Sequence, residues 1–137
     1  MHETVQNLIN IQNLIKSKLS DLKLIDRSPK IIAVSKTFKL EHIFPLIKHG
    51  HTDFGENKVQ EALDKWTDIK KNKNKLKIHL IGKLQTNKVK HAIKLFDFIH
   101  SLDSEKLAAK ISEEQKKLQT KPKIFIQINI GNEFQKG

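Results

Sequence analysis

The 137-residue chain contains no cysteine and no tyrosine. Without cysteine it forms no disulfide and offers no thiolate to a metal. Without tyrosine it has no phenolic acid or base. Arg27 is its only arginine, although base readout and bidentate phosphate contacts favour that side chain over lysine. No apolar stretch approaches the eighteen or so residues of a membrane span, and Met1 to Ser20 lacks a basic segment followed by an uninterrupted apolar one. Metal-ligand spacing, a Walker loop, a nucleotide GxGxxG turn and a nucleophile elbow are all absent from the sequence. A cytoplasmic protein without a membrane partner is the expectation.

A composition of 37% hydrophobic and 30% charged residues is that of an ordinary globular domain. The net charge of +11 invites a nucleic-acid reading. However, the lysines are spread through every segment, and the densest run, "KKNKNKLK" at 70–77, has no aromatic side chain on which a base would stack. That run reads as a solvated loop, and no specific nucleic-acid partner is expected.

Apolar residues recur with helical period from Glu3 to Lys23, at Val5, Leu8, Ile9, Ile15, Leu19 and Leu22. The continuous run from Lys30 to Ser35 reads as a fully buried strand. Leu40, Ile43, Phe44 and Ile47 predict a short helix ending at Gly50, with Pro45 tolerable near its first turn or at a kink. "HTDFGEN" predicts a strand and turn, followed by a helix over about 58–69. "LKIHLIG" is a third strand, followed by a helix opened by Thr86. "FDFIHSL" is a fourth, and Asp103 or Ser104 caps the helix after it. "KIFIQINIG" follows Pro122 as a fifth. Strands alternating with helices at this spacing predict right-handed βαβ units and a parallel sheet, in a doubly wound or a barrel arrangement. In the last strand Ile124, Ile126, Ile128 and Ile130 alternate with Phe125, Gln127 and Asn129. A solvent-facing edge strand would show this pattern. A barrel strand would also show it, with isoleucines under the helices and Gln127 and Asn129 toward the lumen.

Polar residues collect at the predicted strand ends: Ser35 and Lys36, Glu56 and Asn57, His79 before Gly82, His100 and Ser101, and Asn129. Ligands bind at the carboxyl ends of strands in parallel α/β proteins. Each residue also has an ordinary structural role open to it: Lys36 as a solvated strand end, Asn57 as a helix cap, His79 and His100 as hydrogen-bonded core histidines, and Ser101 as the start of a turn. Lys36 is the strongest candidate nucleophile, because a lysine at a strand end facing a pocket attacks aldehydes when its amine is neutral.

"AVSKTF" (33–38), "FGENKVQE" (54–61), "IHLIGKLQTNKVK" (78–90), "IHSLDS" (99–104) and "IQINIGNEFQKG" (126–137) resemble, in order and spacing, the pyridoxal phosphate homeostasis proteins related to the amino-terminal domain of alanine racemase. The resemblance implies an α/β fold of the (β/α)₈ TIM-barrel type, with this chain supplying about the first five strand–helix units as a single domain over 1–137. It implies pyridoxal 5'-phosphate as cofactor, held as a Schiff base on Lys36, with Asn57 contacting the cofactor. It further implies a non-catalytic carrier in intracellular cofactor homeostasis. An amino-acid racemase and a basic RNA-binding module are the alternatives.

A complete barrel takes roughly 200 to 250 residues and binds phosphate on its last strands. The chain is therefore expected to be incomplete at its carboxyl end and to pair with a segment that supplies the remaining strands. Lys136, after the fifth strand, is a second candidate for adduct formation.

Overall fold

The computed structural model describes residues 1–131, and the candidate Lys136 lies outside them. Two compact units are present: residues 1–31 with 38–52, and residues 32–37 with those from 53 onward.

The first unit holds two helices, α1 (Glu3–Asp21) and α2 (Leu40–His49). Their periodic apolar residues Val5, Leu8 and Ile43 are buried. His2 caps α1, its ring Nδ1 accepting the Thr4 N–H at 3.2 Å. Gly50 ends α2 at φ +101°, a conformation that costs a residue with a Cβ.

The second unit is a run of strands and helices: β1 (Ala33–Val34), β2 (Asp53–Glu56), α3 (Val59–Asn72), β3 (Lys77–Leu80), a 3₁₀ turn (Thr86–Lys88), α4 (Val89–Leu95), β4 (Phe98–Leu102), α5 (Glu105–Leu118) and β5 (Lys123–Ile126). All neighbouring strands pair in parallel, in the spatial order β1-β2-β3-β4-β5. A parallel sheet in strict sequence order is what consecutive right-handed βα units produce around a barrel. The doubly wound alternative requires a reversal of strand order, and none occurs among the described residues.

Strand parity assigns the two faces. Phe54 packs against Trp66 of α3 with ring centres 4.9 Å apart and planes tilted by 37°, so Phe54, Ile78, Leu80 and Ile99, all buried, form the helix-side core with Ala62, Val89, Ala92 and Leu107. The alternate residues, Val34, Asp53, Gly55, His79, Phe98 and His100, occupy the opposite, inner face. Fully burying one aliphatic side chain contributes about 1.5–3 kcal/mol, so the helix-side layer supplies the main stabilisation of this unit.

Three expectations are corrected. β1 is two residues long, and its Val34 is 51% exposed rather than fully buried, because among the described residues β1 is an edge strand with a neighbour, β2, on one side only. β5 stops at Ile126, before Gln127 and Asn129, and no further strand pairs along its free edge among the described residues. Lys58, not Asn57, is the N-cap of α3, and it makes no side-chain cap bond. Ser104 does cap α5, accepting the Leu107 N–H at 3.1 Å.

Beside the free edge, Ile124 and Ile126 of β5 and Leu102 of β4 line an open groove of about 330 Å³ with Ala108 and Ile111 of α5. Beyond β5, Ile128 and Ile130 are exposed by 73% and 90%. A long apolar edge recruits other chains. Replacing Ile128 and Ile130 with lysine should therefore suppress self-association in light scattering while leaving the melting temperature unchanged. Undiminished association would show that the edge is not its cause.

Candidate functional site

The site is built at the carboxyl end of β1, where the chain leaves the sheet as Ser35–Lys36–Thr37. Ser35 falls on the helix side and is buried, and its hydroxyl donates to the Glu56 carboxylate. Glu56, the last residue of β2, is fully buried and also accepts Trp66 Nε1–H at 3.1 Å and Lys65 Nζ at 3.0 Å. Lys65 donates in addition to the Ser35 carbonyl at 2.7 Å. A buried carboxylate is costly unless it is paired and its lone pairs are met, and three donors converge on this one.

The same helix fixes the residue after Lys36. Thr37 N–H donates to Glu61 at 2.7 Å, and Glu61 pairs with Lys65 one turn on, at 3.5 Å. Thr37 lies at φ +67°, an uncommon conformation for a β-branched residue, and it turns the chain sharply away from the sheet. Lys36 is thus held between two residues anchored to α3. Alternation places Lys36 on the inner face with Ile32 and Val34, and it is exposed.

Asn57 follows Glu56 on the inner face. Its Oδ1 is buried without a hydrogen-bond partner among the described residues. Buried polar atoms are rarely left so, and an unmet acceptor beside a strand end suits a ligand donor. Gly82, after β3, permits this packing: a Cβ there would lie 2.4 Å from the Asn57 carbonyl oxygen and 2.6 Å from its Cβ. Extending the parallel registers Glu56↔Leu80 and Leu80↔Ile99 by one residue aligns Asn57 with Ile81 and Ile81 with His100. Lys36, Asn57, Ile81 and His100 therefore form one row across four strands at the carboxyl edge.

A second polar chain runs below that row. His79 Nε2 bonds Asp53 Oδ2 at 2.8 Å, and His79 Nδ1 bonds His100 Nε2 at 2.9 Å. The His79 ring stacks flat on Phe98 at 4.2 Å. Burial, and then the neighbouring His79, hold His100 below the usual histidine range. The reading of His79 as a hydrogen-bonded core histidine is borne out. Ser101 lies within β4, not in a turn, and is buried. Lys36 and Asn57 are brought into one row, whereas Gln127 and Asn129 lie past the end of β5. Glu61 and Lys65 do not stand out in the sequence. Their i, i+4 spacing signals a helical ion pair, but nothing in it reveals the tie to β1.

Among the described residues no cluster of histidine, aspartate or glutamate is arranged to hold a metal, and no helix is long and apolar enough to cross a membrane.

A sequential parallel βα sheet with a lysine anchored at the end of its first strand defines a class of barrel-forming domains that bind ligands at strand ends. Residues 11–134 match the family of the alanine racemase N-terminal domain, and the chain belongs to that family. It is 37% identical over 131 residues to the pyridoxal phosphate homeostasis protein of Pasteurella multocida, covering 96% of this chain and 56% of the relative. Over 126 residues it is 40% identical to the protein of that name from Buchnera aphidicola of Schizaphis graminum, covering 92% and 53% respectively. PipY of Synechococcus elongatus, solved without pyridoxal phosphate, aligns with TM-score 0.75 at 35% identity over 90% of this chain and 57% of its own. PipY with pyridoxal phosphate bound aligns with TM-score 0.72, also at 35% identity, over 87% and 56%. The chain spans about half the length of the curated relatives it matches.

Removing one partner of a buried ion pair costs about 3–5 kcal/mol. Glu56→Ala, which removes the acceptor of Trp66 and the buried carboxylate partner of Lys65 while leaving Lys65 its bonds to Glu61 and the Ser35 carbonyl, should lose stability toward the lower end of that range in urea denaturation. A loss below about 1 kcal/mol would show that the carboxylate does not hold the end of β1.

Proposed function

We propose that this chain binds pyridoxal 5'-phosphate on Lys36 and serves as a carrier in cofactor homeostasis, with no turnover of its own. The observation that carries this reading is Lys36 held between anchored Ser35 and Thr37, in one row with the unpartnered Asn57 Oδ1. That orphaned acceptor is what a polar heteroaromatic ligand needs beside the lysine, so the residues fit the cofactor. When bound, the group supplies an aldehyde carbon, for which a neutral lysine amine is the nucleophile. Lys36 attaches the ligand, Asn57 accepts a hydrogen bond from it, and the α3 clamp fixes both. The names of the relatives, and PipY with pyridoxal phosphate bound, support the same assignment.

We infer that a further segment contributes to the site, since the chain spans about half the length of the curated relatives it matches. The groove beside β5 is the surface on which an additional strand–helix unit would continue the barrel, and a carboxyl-terminal segment supplying it is the proposed partner. The cytoplasm is the proposed compartment. A racemase-like enzyme is less favoured, because opposite-face proton transfer by tyrosine has no residue to perform it in this chain. The RNA-binding reading is weakened by the use of the basic run: Lys70 is committed to Asp97 and to the Leu95 carbonyl, both at 2.6 Å.

Incubation with pyridoxal 5'-phosphate, borohydride reduction and peptide mapping should place the label predominantly on Lys36, and Lys36→Ala should remove that peptide's signal. Label spread evenly over the surface lysines would overturn the assignment. The same preparation should show no racemisation of alanine by chiral chromatography.

A further inference from the structure

The chain Asp53–His79–His100 crosses β2, β3 and β4 on the inner face, and with Asp53 ionised and both rings neutral its contacts define one arrangement of protons. A carboxylate accepts, so His79 donates Nε2–H to Asp53 and carries no proton on Nδ1 when neutral. That bare Nδ1 then accepts Nε2–H from His100. His100, with its one proton committed to Nε2, is left with an unprotonated Nδ1. This atom has no hydrogen-bond partner among the described residues. Stacking holds both rings in place: His79 on Phe98 at 4.2 Å and His100 on Phe125 at 4.6 Å. Asp53 and His79 are buried and His100 is half-buried, so the chain runs from the interior outward and ends at the row that contains Asn57 and Lys36.

We propose that Asp53, through His79, sets His100 as a hydrogen-bond acceptor for an O–H or N–H group of the heteroaromatic ligand held at Lys36. The proposal rests on the Lys36 reading. Three strand spacings separate Lys36 from His100, about 14 Å in all, a span that a lysine side chain and a substituted pyridine ring bridge together. His100 is a ligand-contacting residue in this scheme, while Asp53 and His79 are positioning residues. Burial, and then His79, lower the proton affinity of His100, the direction an acceptor role requires. The titratable groups facing the chain are Asp53 on β2, His79 on β3 and Lys123 on β5, whose Nζ lies 5.7 Å from the centre of the Phe98 ring.

The test is nitrogen NMR of the chain labelled at histidine, recorded alone and with pyridoxal 5'-phosphate, with borohydride trapping at Lys36 in parallel. The expected result is His100 in its Nε2–H tautomer, with its Nδ1 resonance moving when the cofactor is added. Asp53→Asn, whose amide can donate to His79 and reverse the chain, should abolish that response and weaken cofactor binding about tenfold. His100→Gln leaves the Asp53–His79 bond in place and serves as the second variant, with a similar loss of affinity. If Lys36 is trapped but His100 does not respond, or is found as the Nδ1–H tautomer, the proposal is overturned and the Lys36 reading stands. If neither responds, both fall. If His100 responds while Lys36 is not trapped, the acceptor role holds and the covalent reading fails.

Discussion

One buried carboxylate, Glu56, organises the carboxyl edge of the sheet. Leaving it charged in the interior would cost several kcal/mol without compensation. Ser35, Lys65 and Trp66 meet that demand together, from β1 and from two consecutive positions on α3. The consequence reaches beyond stability. β1 contributes only two ladder residues, continued by the Ser35 N–H bond to the Gly55 carbonyl at 2.9 Å, and the Glu56 cluster adds a side-chain constraint one residue before Lys36. Glu61, tied to the same Lys65, supplies it one residue after.

Strand parity converts that constraint into a site. Because successive side chains alternate between faces, fixing Ser35 toward the helices commits Lys36 to the opposite side. Asn57, Ile81 and His100 reach the same side from the next three strands by the same rule. Gly82 lets the turns after β2 and β3 approach to a distance no side chain would allow, and this closes the packing around Asn57. The inner face carries polar groups for a structural reason as well as a chemical one: Asp53, His79 and His100 hydrogen-bond one another, while Asn57 Oδ1 near them has no partner among the described residues.

Much of this is legible in the sequence. The helical period in Glu3–Lys23, the Ser104 cap and the alternation of strand and helix point to the parallel α/β class, and the order of motifs points to the barrel family. Lys36 stands out because it closes a continuous apolar run, and Asn57 because it follows a predicted strand within a motif that carries the family resemblance. The capping role expected of Asn57 fails, since the chain stays extended one residue longer before α3 begins at Val59. The lengths of β1 and β5 are overestimated from sequence because apolar composition records what a strand is built to bury, whereas pairing depends on which neighbours are present. Glu56–Lys65–Ser35 and Asp53–His79–His100 are out of its reach, being contacts between separate elements that only register brings together.

Hydrogen exchange at the Thr37 amide tests the central claim most directly, namely that the buried Glu56 cluster holds the backbone at Lys36. The wild-type amide should be protected, and Glu56→Ala should speed its exchange at least about tenfold, equivalent to about 1.4 kcal/mol of local opening, while the Asp97 amide bonded to Ile78 keeps its protection. Equal Thr37 exchange in the two proteins would contradict the account and leave Lys36 positioned by something other than the carboxylate.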